Sequence, residues 1–170
     1  HEIYSYINVK TLRKLLKDTF NQLTYKGRII IRDVVGPDEP NKAVYMELND
    51  KDGKEKGEIK ELSTKSRFYM FIKDFIPRKI KFEEEKVNGK NLIRLRLRDC
   101  YEFMSKMTYD DNWKSEMHEE FGFWDFETWK KELKPFLDSQ IIIARRFYKE
   151  LAQTQEGKEK IKLLRRIKQV

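Results

Sequence analysis

A helix pattern that ends at a glycine and is followed by a run of β-branched residues constrains the fold of this chain most. In residues 8–23 apolar side chains recur every three or four positions, and Asn8 can cap the first turn, which predicts an amphipathic helix. Residues 28–35, Arg-Ile-Ile-Ile-Arg-Asp-Val-Val, follow Gly27 and are typical of a strand buried on both faces of a parallel sheet. This order predicts half of a βαβ unit in an α/β fold. Between helix and strand, we expect Gly27 to have a positive φ.

The rest of the chain predicts shorter elements, each bounded by a capping or turn residue. Alternating polar and apolar residues on either side of Asn88-Gly89 predict a hairpin of residues 79–84 and 92–97. Three isoleucines at 141–143 predict a further strand, and helical composition continues to residue 170. Short helices are expected after four capping positions: Ser63 or Thr64, Asp99, Asn112 and Asp125.

These patterns divide the chain into four parts. Residues 1–36 hold the helix and buried strand of an α/β core, and residues 37–125 form an α+β insertion with the hairpin and short helices. Residues 126–143 supply a helix and a strand that return to the core, and residues 144–170 form a basic helical tail. We expect the insertion to cover the side on which a substrate binds.

The cysteine and histidine content excludes several kinds of protein. Cys100 is the single cysteine, so no disulfide forms within the chain, and we expect it to be buried and inert. With His1 and His118 as the two histidines, a zinc site of Cys and His ligands is excluded, and we predict no metal. Because a reducing compartment fits this content, and no membrane span or signal peptide is visible, we expect a cytoplasmic protein that does not contact a membrane.

The charge of the chain fits two kinds of surface. It has 37 Lys and Arg against 29 Asp and Glu, a net charge of +8. This excess fits a polyanionic partner such as RNA or a basic solvated surface, and the solvated surface is favoured. The absence of an initiating Met indicates a fragment, a processed product or part of a longer protein. Much of the basic excess lies near the end of the chain, at Lys158, Lys160, Lys162, Arg165, Arg166 and Lys168.

Known catalytic motifs are missing from the sequence. A helical H-E-x-x-H places two imidazoles on one face to hold zinc, but Ser5 and Gly122 stand where His1-Glu2 and His118-Glu119 would need the second histidine. No P-loop, G-x-S-x-G or G-x-G-x-x-G occurs. The motifs therefore predict neither a hydrolase triad nor a self-contained nucleotide site.

Two places carry residues that could contact a ligand. Arg32 and Asp33 lie near the carboxyl end of the predicted strand, where open α/β sheets bind ligands, although a pair that only tethers the loop is an equal alternative. The aromatic and charged residues at 109–124 include Trp113 and His118. Such aromatic density is usually core, and the alternative is the lid of an acceptor pocket.

Several of these segments resemble a known family. The opening His1-Glu2-Ile3-Tyr4-Ser5-Tyr6, the helix after it and residues 23–33 resemble the second half of a class I S-adenosylmethionine-dependent methyltransferase. Residues 33–37, 61–64 and 111–129 resemble a bacterial-type branch of that family with a long insertion after strand five. The turn before residue 28 lacks the family's proline and second glycine.

The resemblance implies a fold, a cofactor and a partner. This chain would supply the second half of a Rossmann-like methyltransferase sheet, and a missing N-terminal half of the same protein would carry the family's glycine-rich loop and the acidic residue that holds the ribose. S-adenosylmethionine would be the cofactor, and a methyl group would pass to an unidentified acceptor.

The resemblance also implies site residues. His1, Tyr4 and Tyr6 would lie beside the sulfonium at the end of strand four, where aromatic faces stabilise positive charge. The residues that would contact the acceptor are Arg32, Asp33, Trp113 and His118. No catalytic acid or base is predicted, because methyl transfer chiefly requires alignment of the reacting groups.

Two alternatives to an enzyme remain open. One is a non-enzymatic basic module whose C-terminal helices contact RNA or another acidic partner, with residues 37–125 as an interaction surface. The other is a structural domain with a degenerate methyltransferase fold.

Overall fold

A computed structural model of the chain describes residues 3–24, 27–31, 34–122, 124–136 and 167–169. The described residues combine helices with a small antiparallel sheet, so the chain is of mixed α and β structure. No helix among them is both long and apolar enough to cross a membrane.

The N-terminal helix is confirmed. A short helix α1 (Ile3–Tyr6) precedes α2 (Val9–Asn21), and the Asn8 side chain accepts a hydrogen bond from the backbone N–H of Thr11. Leu12 and Leu16 are buried on one face of α2. The predicted cap and the three- and four-residue spacing therefore define this helix as expected.

The buried strand expected at residues 28–35 is not formed by its described residues. Residues 28–31 and 34–35 have no regular secondary structure, and Ile30 is 91% exposed. None of the described strands pairs with this segment, and a strand needs a neighbour to receive its backbone hydrogen bonds. The positive φ expected of Gly27 is also wrong, because among the described residues the glycines with positive φ are Gly57, Gly89 and Gly122.

The described sheet is antiparallel, and three of its four strands lie within residues 37–125. It contains β1 (Ala43–Met46), β2 (Phe82–Val87), β3 (Lys90–Arg96) and β4 (Ile167–Gln169), in the order β2-β3-β1-β4. The predicted hairpin is confirmed as β2 and β3, with positive φ at Asn88 and Gly89 in the turn. All pairings between the described strands are antiparallel, and the one parallel contact among the described residues is an isolated bridge between Lys54 and Leu62, so a Rossmann-like sheet is not seen in this part of the chain.

The described residues near the C-terminus form a strand and not a helix. Residues 167–169, which we expected in a helical tail, form β4 and pair with β1. A strand edge offers unpaired backbone groups, and this pairing satisfies them on one side of β1. The strand predicted at 141–143 lies outside the described residues.

Helices cover the sheet and form the main core. Ser63 caps α3 (Thr64–Asp74) by accepting from Ser66 N–H, and α4 (Leu97–Lys106) follows directly after β3. The buried side chains of this core include Val44, Met46, Phe68, Phe71, Ile93, Leu95, Cys100, Phe103, Trp113 and Met117. Cys100 is buried as expected, and burial raises the pKa of its thiol to about 12.

A second apolar cluster joins the N-terminal helices to residues 124–133. Helix α5 (Trp113–Glu116) is followed by α6 (Phe126–Leu133), whose first turn is capped by Asp125 through Thr128 N–H. Trp124 and Trp129 pack with Leu12 and Leu16 of α2 in this cluster. The two tryptophan rings meet edge to face, with centroids 4.8 Å apart.

Two glycines let separate segments approach at the junction of the clusters. The backbone N–H of Gly36 donates to the carbonyl of Trp124 at 2.8 Å, and Gly122 has a φ of 57°. A Cβ on Gly36 would stand 1.9 Å from the carbonyl oxygen of Gly122. The junction therefore requires a residue without a side chain at position 36.

Replacing Gly36 by alanine tests this close approach. Because the two backbones must separate to admit a methyl group, we expect the free energy of unfolding to fall by about 2 kcal/mol in urea titrations. Gly89→Asn is the matched control, since a Cβ there meets nothing within 4 Å and Asn tolerates the turn's positive φ. An unchanged urea midpoint for Gly36→Ala would contradict the packing described here.

Candidate functional site

Three charged residues form a buried stripe on α4. Asp99, Glu102 and Lys106 follow one another at spacings of three and four, which places them on one face of the helix. All three are buried, although charged residues of these types are rarely buried without partners. Residues 116–122 contact Glu102 and Lys106 and are called the cover segment below.

Lys106 has no exposed surface, and its side chain contacts two residues of the cover segment. Its ammonium donates to the carbonyl oxygen of Glu116 at 2.7 Å and lies 3.4 Å from Glu102 Oε1. The ring centroid of Phe121 is 3.7 Å from the same nitrogen, a distance that permits a cation–π contact. Burial lowers the pKa of Lys106, and the Glu102 carboxylate opposes this shift.

Glu102 meets the other end of the cover segment. Its Oε1 accepts a hydrogen bond from Phe121 N–H at 2.9 Å, and its Oε2 has no hydrogen-bond partner among the described residues. Burial raises the pKa of Glu102 to about 8, although Lys106 favours the charged form. A titratable group with such a shift is typical of functional sites, but buried ionic networks produce it as well.

Arginines complete the network beside the stripe. Arg78 pairs with Asp99 and donates from Nε to Glu120 Oε1 at 2.9 Å. Arg96 donates to Asp99 at 2.8 Å, and Arg98 also pairs with Glu120. Pairs of this kind add little net stability but are costly to break singly, so they hold the cover segment in one position.

Glu119 of the cover segment binds the N-terminal segment. Its two carboxylate oxygens accept hydrogen bonds from Ser5 Oγ at 2.8 Å and from Tyr6 Oη at 2.6 Å. The backbone N–H of Glu120 donates to the carbonyl of Ser5 at 2.9 Å. Glu119 is buried, whereas Tyr6 is 51% exposed. The hydroxyl of Tyr6 is therefore fixed while much of its side chain faces solvent.

The predicted site residues fall in different environments. Tyr4 packs edge to face on Trp129 in the second cluster, with centroids 6.0 Å apart. Trp113 is buried in the main core and donates from Nε1 to Asp74 at 2.9 Å. His118 is exposed, with Nδ1 2.7 Å from the carbonyl of Lys114. The ligand-binding roles of these residues stay predictions.

Of the residues predicted to contact the cofactor, Tyr6 touches the cluster predicted to contact the acceptor. Tyr6, expected near a cofactor, and the cover segment, which lies within the cluster expected near an acceptor, meet at Glu119. The remaining predicted residues, His1, Arg32 and Asp33, lie outside the described residues.

The sequence pattern singles out none of Glu102, Lys106 and Arg78, and Glu119 enters only as part of the incomplete His118-Glu119 motif and of the cluster at 109–124. Charges three and four apart on a helix usually face water, so their spacing alone gave no reason to expect burial. The sequence does carry one signal for Glu119. Aromatic residues are dense at 121–124, directly after Glu119 and Glu120, and residues next to buried aromatic side chains are often buried with them.

Outside the buried stripe, the described residues form a surface cavity but no metal-binding cluster. No three His, Cys, Asp or Glu side chains among the described residues gather closely enough to hold a metal ion. A surface cavity of about 410 Å³ lies between residues 55–57 and α3 and is lined by Leu62, Tyr69, Met70 and Lys73 among others. Burial, with a hydrogen bond to Glu84, raises the pKa of Tyr69 to about 12.

No protein-family model, curated protein or solved structure matches this chain.

The raised pKa of Glu102 predicts how stability changes with pH. The folded chain keeps this proton to about pH 8, whereas unfolded glutamate loses it near pH 4.3. The Glu102 contribution to the free energy of unfolding therefore falls as pH rises between these values, since the folded state binds more protons there. Glu102→Gln removes this contribution, so we expect the variant to gain stability relative to wild type from pH 5 to pH 8.

Urea unfolding at pH 5, 6.5 and 8 measures this difference. Glu127→Gln is the control, because Glu127 is exposed and pairs with Lys130 on the surface of α6. A difference between Glu102→Gln and wild type that does not change with pH would show that Glu102 is already ionised at pH 5.

Proposed function

We propose that this chain is the acceptor-side portion of an S-adenosylmethionine-dependent methyltransferase. The sequence resemblance assigns the opening segment to the cofactor side and residues 109–124 to the acceptor side. The observation that supports it in the structure is the Glu119 contact, because one buried carboxylate there binds both Ser5 and Tyr6 of the opening segment. The two segments are thus adjacent, which supports the proposal because an enzyme that aligns donor and acceptor needs their binding residues close together.

Tyr6 is the residue that fits the cofactor best. S-adenosylmethionine supplies its methyl group from a sulfonium, and the face of a tyrosine ring attracts such a cation. Tyr6 is half-exposed, and its hydroxyl bond to Glu119 restricts the directions in which its ring can face. Tyr4 fits less well, since its ring already packs on Trp129.

The segment at residues 28–35 supports a partner in the same protein. An isoleucine that is 91% exposed within a β-branched run is what a strand without its neighbours would present. We infer that an N-terminal half of the same protein would supply these neighbours, and with them the glycine-rich loop and the acidic residue for the ribose that the resemblance implies. Arg32 and Asp33 would then lie on the acceptor side.

The alternative is a non-enzymatic basic module that contacts RNA or another acidic partner. It is supported by the net charge of +8 and by surface lysines that lack carboxylate partners among the described residues. Cofactor binding separates the two proposals, because a basic module has no reason to bind S-adenosylmethionine.

Calorimetry with the full-length protein tests the proposal. S-adenosylmethionine and S-adenosylhomocysteine differ in the charge at sulfur, so we expect Tyr6→Leu to weaken the first about tenfold more than the second, on a cation–π energy of ~1–2 kcal/mol. Tyr6→Phe is the control, since it keeps the ring and removes the bond to Glu119, and should change that ratio less.

The possible results test two claims separately: that the protein binds the cofactor, and that Tyr6 faces its sulfonium. If the wild-type protein binds neither compound at millimolar concentration, the methyltransferase proposal is wrong. If both bind and Tyr6→Leu weakens them equally, the protein binds the cofactor but Tyr6 does not face its sulfonium.

A further inference from the structure

Helix α2 has two faces of opposite character. Leu12 and Leu16 are buried against Trp124 and Trp129, while the other face is open to solvent. Lys10, Lys14 and Lys17 are exposed and lie four and three residues apart, so they form one row along that open face. This row is called the α2 lysine row.

The α2 lysine row is not neutralised by the described residues. None of its three lysines forms an ion pair with them, whereas Arg13 on the same helix is tied to Glu132. Asp18 is the single acidic residue of α2 and has no ion pair with these lysines. Some exposed lysines elsewhere on the described surface have carboxylate partners, as Lys54 has with Glu61, Lys60 with Glu58 and Lys90 with Glu47. Others have none, so what distinguishes the three α2 lysines is their arrangement in one row on a single helix face.

The neighbouring helix α6 extends this basic surface. Two contacts hold α2 beside α6 and the residues that follow it. Arg13 pairs with Glu132, and the ring of Phe20 stacks on that of Phe136 with centroids 4.7 Å apart. Lys131 and Lys134 are exposed in and just after α6 and form no ion pair with a described residue. Because α2 is packed on its buried face, the lysine row is carried on a rigid support.

We infer that the α2 lysine row binds the phosphate backbone of a single-stranded nucleic acid. At ~1.5 Å per residue the lysines stand about 6 and 4.5 Å apart along the helix, so they suit a regular row of anions better than one small anion. Lysine is a compact point charge that contacts phosphate without reading the base, so this binding is independent of sequence and sensitive to salt.

The packing of α2 favours a nucleic acid over an anionic membrane. A helix that binds a bilayer inserts its apolar face between the lipids. The buried apolar residues of α2, Leu12 and Leu16, already pack against Trp124 and Trp129, so its open face offers a partner mainly polar and charged side chains. This inference does not depend on the proposed methyltransferase, although a nucleic acid on this helix would be a candidate acceptor.

Fluorescence anisotropy with a labelled 20-nucleotide oligo-uridine tests the inference on the full chain. We expect the triple variant Lys10→Gln, Lys14→Gln, Lys17→Gln to bind at least tenfold more weakly at 50 mM salt. The slope of log K against log salt should fall by about 2, since each phosphate contact on a single strand contributes about 0.7. Glutamine is a good helix former, so α2 should persist, and circular dichroism checks this.

A matched control removes the same charge elsewhere. The variant Lys54→Gln, Lys60→Gln, Lys90→Gln replaces three exposed lysines that have carboxylate partners, and should weaken binding less than threefold. Equal losses in both triple variants, or no binding by the wild-type chain, would overturn the inference. It would also be overturned if the α2 variant lost binding to vesicles with 30% anionic lipid but kept its affinity for RNA.

Discussion

The buried ammonium of Lys106 is the interaction on which the candidate site depends. Removing an ammonium from water costs several kcal/mol unless its contacts are complete. Lys106 completes them with the Glu116 carbonyl, the Glu102 carboxyl group and the ring of Phe121. Two of these three groups belong to residues 116–122, so this segment cannot move away from α4 without leaving the charge uncompensated.

The position of that segment then determines how the N-terminal residues bind. Its Glu119 accepts hydrogen bonds from Ser5 and Tyr6, and its Glu120 pairs with Arg78 and Arg98. The close contact of Gly36 with Gly122 and the bond from Tyr101 Oη to the Val35 carbonyl lie on the same junction. Charge, hydrogen bonds and backbone contact thus converge where the main core meets the second cluster.

The two proposals concern different surfaces of the N-terminal region. Tyr6 lies at the junction, where a fixed hydroxyl leaves a half-exposed aromatic side chain beside the cover segment. The lysine row lies on the open face of α2, whose opposite face packs on Trp124 and Trp129. A ligand on one surface therefore does not need the residues of the other, and each proposal can fail without the other.

Elements whose formation depends on residues nearby along the chain can be predicted from local sequence alone. Asn8, Ser63 and Asp125 cap helices as predicted, and Asn88-Gly89 makes the turn of the hairpin, because each effect acts within a few residues. Asp99 departs from its predicted role, since it lies inside α4 and pairs with Arg78 and Arg96.

Tertiary structure decided the rest. The isoleucine-rich segment has strand propensity, but a strand forms only where another strand accepts its hydrogen bonds, and none of the described strands does so. Whether Glu102, Lys106 and Glu119 face water or protein depended on which residues fold over α4. Burial is a property of contacts between distant parts of the chain, and local spacing on a helix cannot distinguish a charged face in water from one covered by another segment.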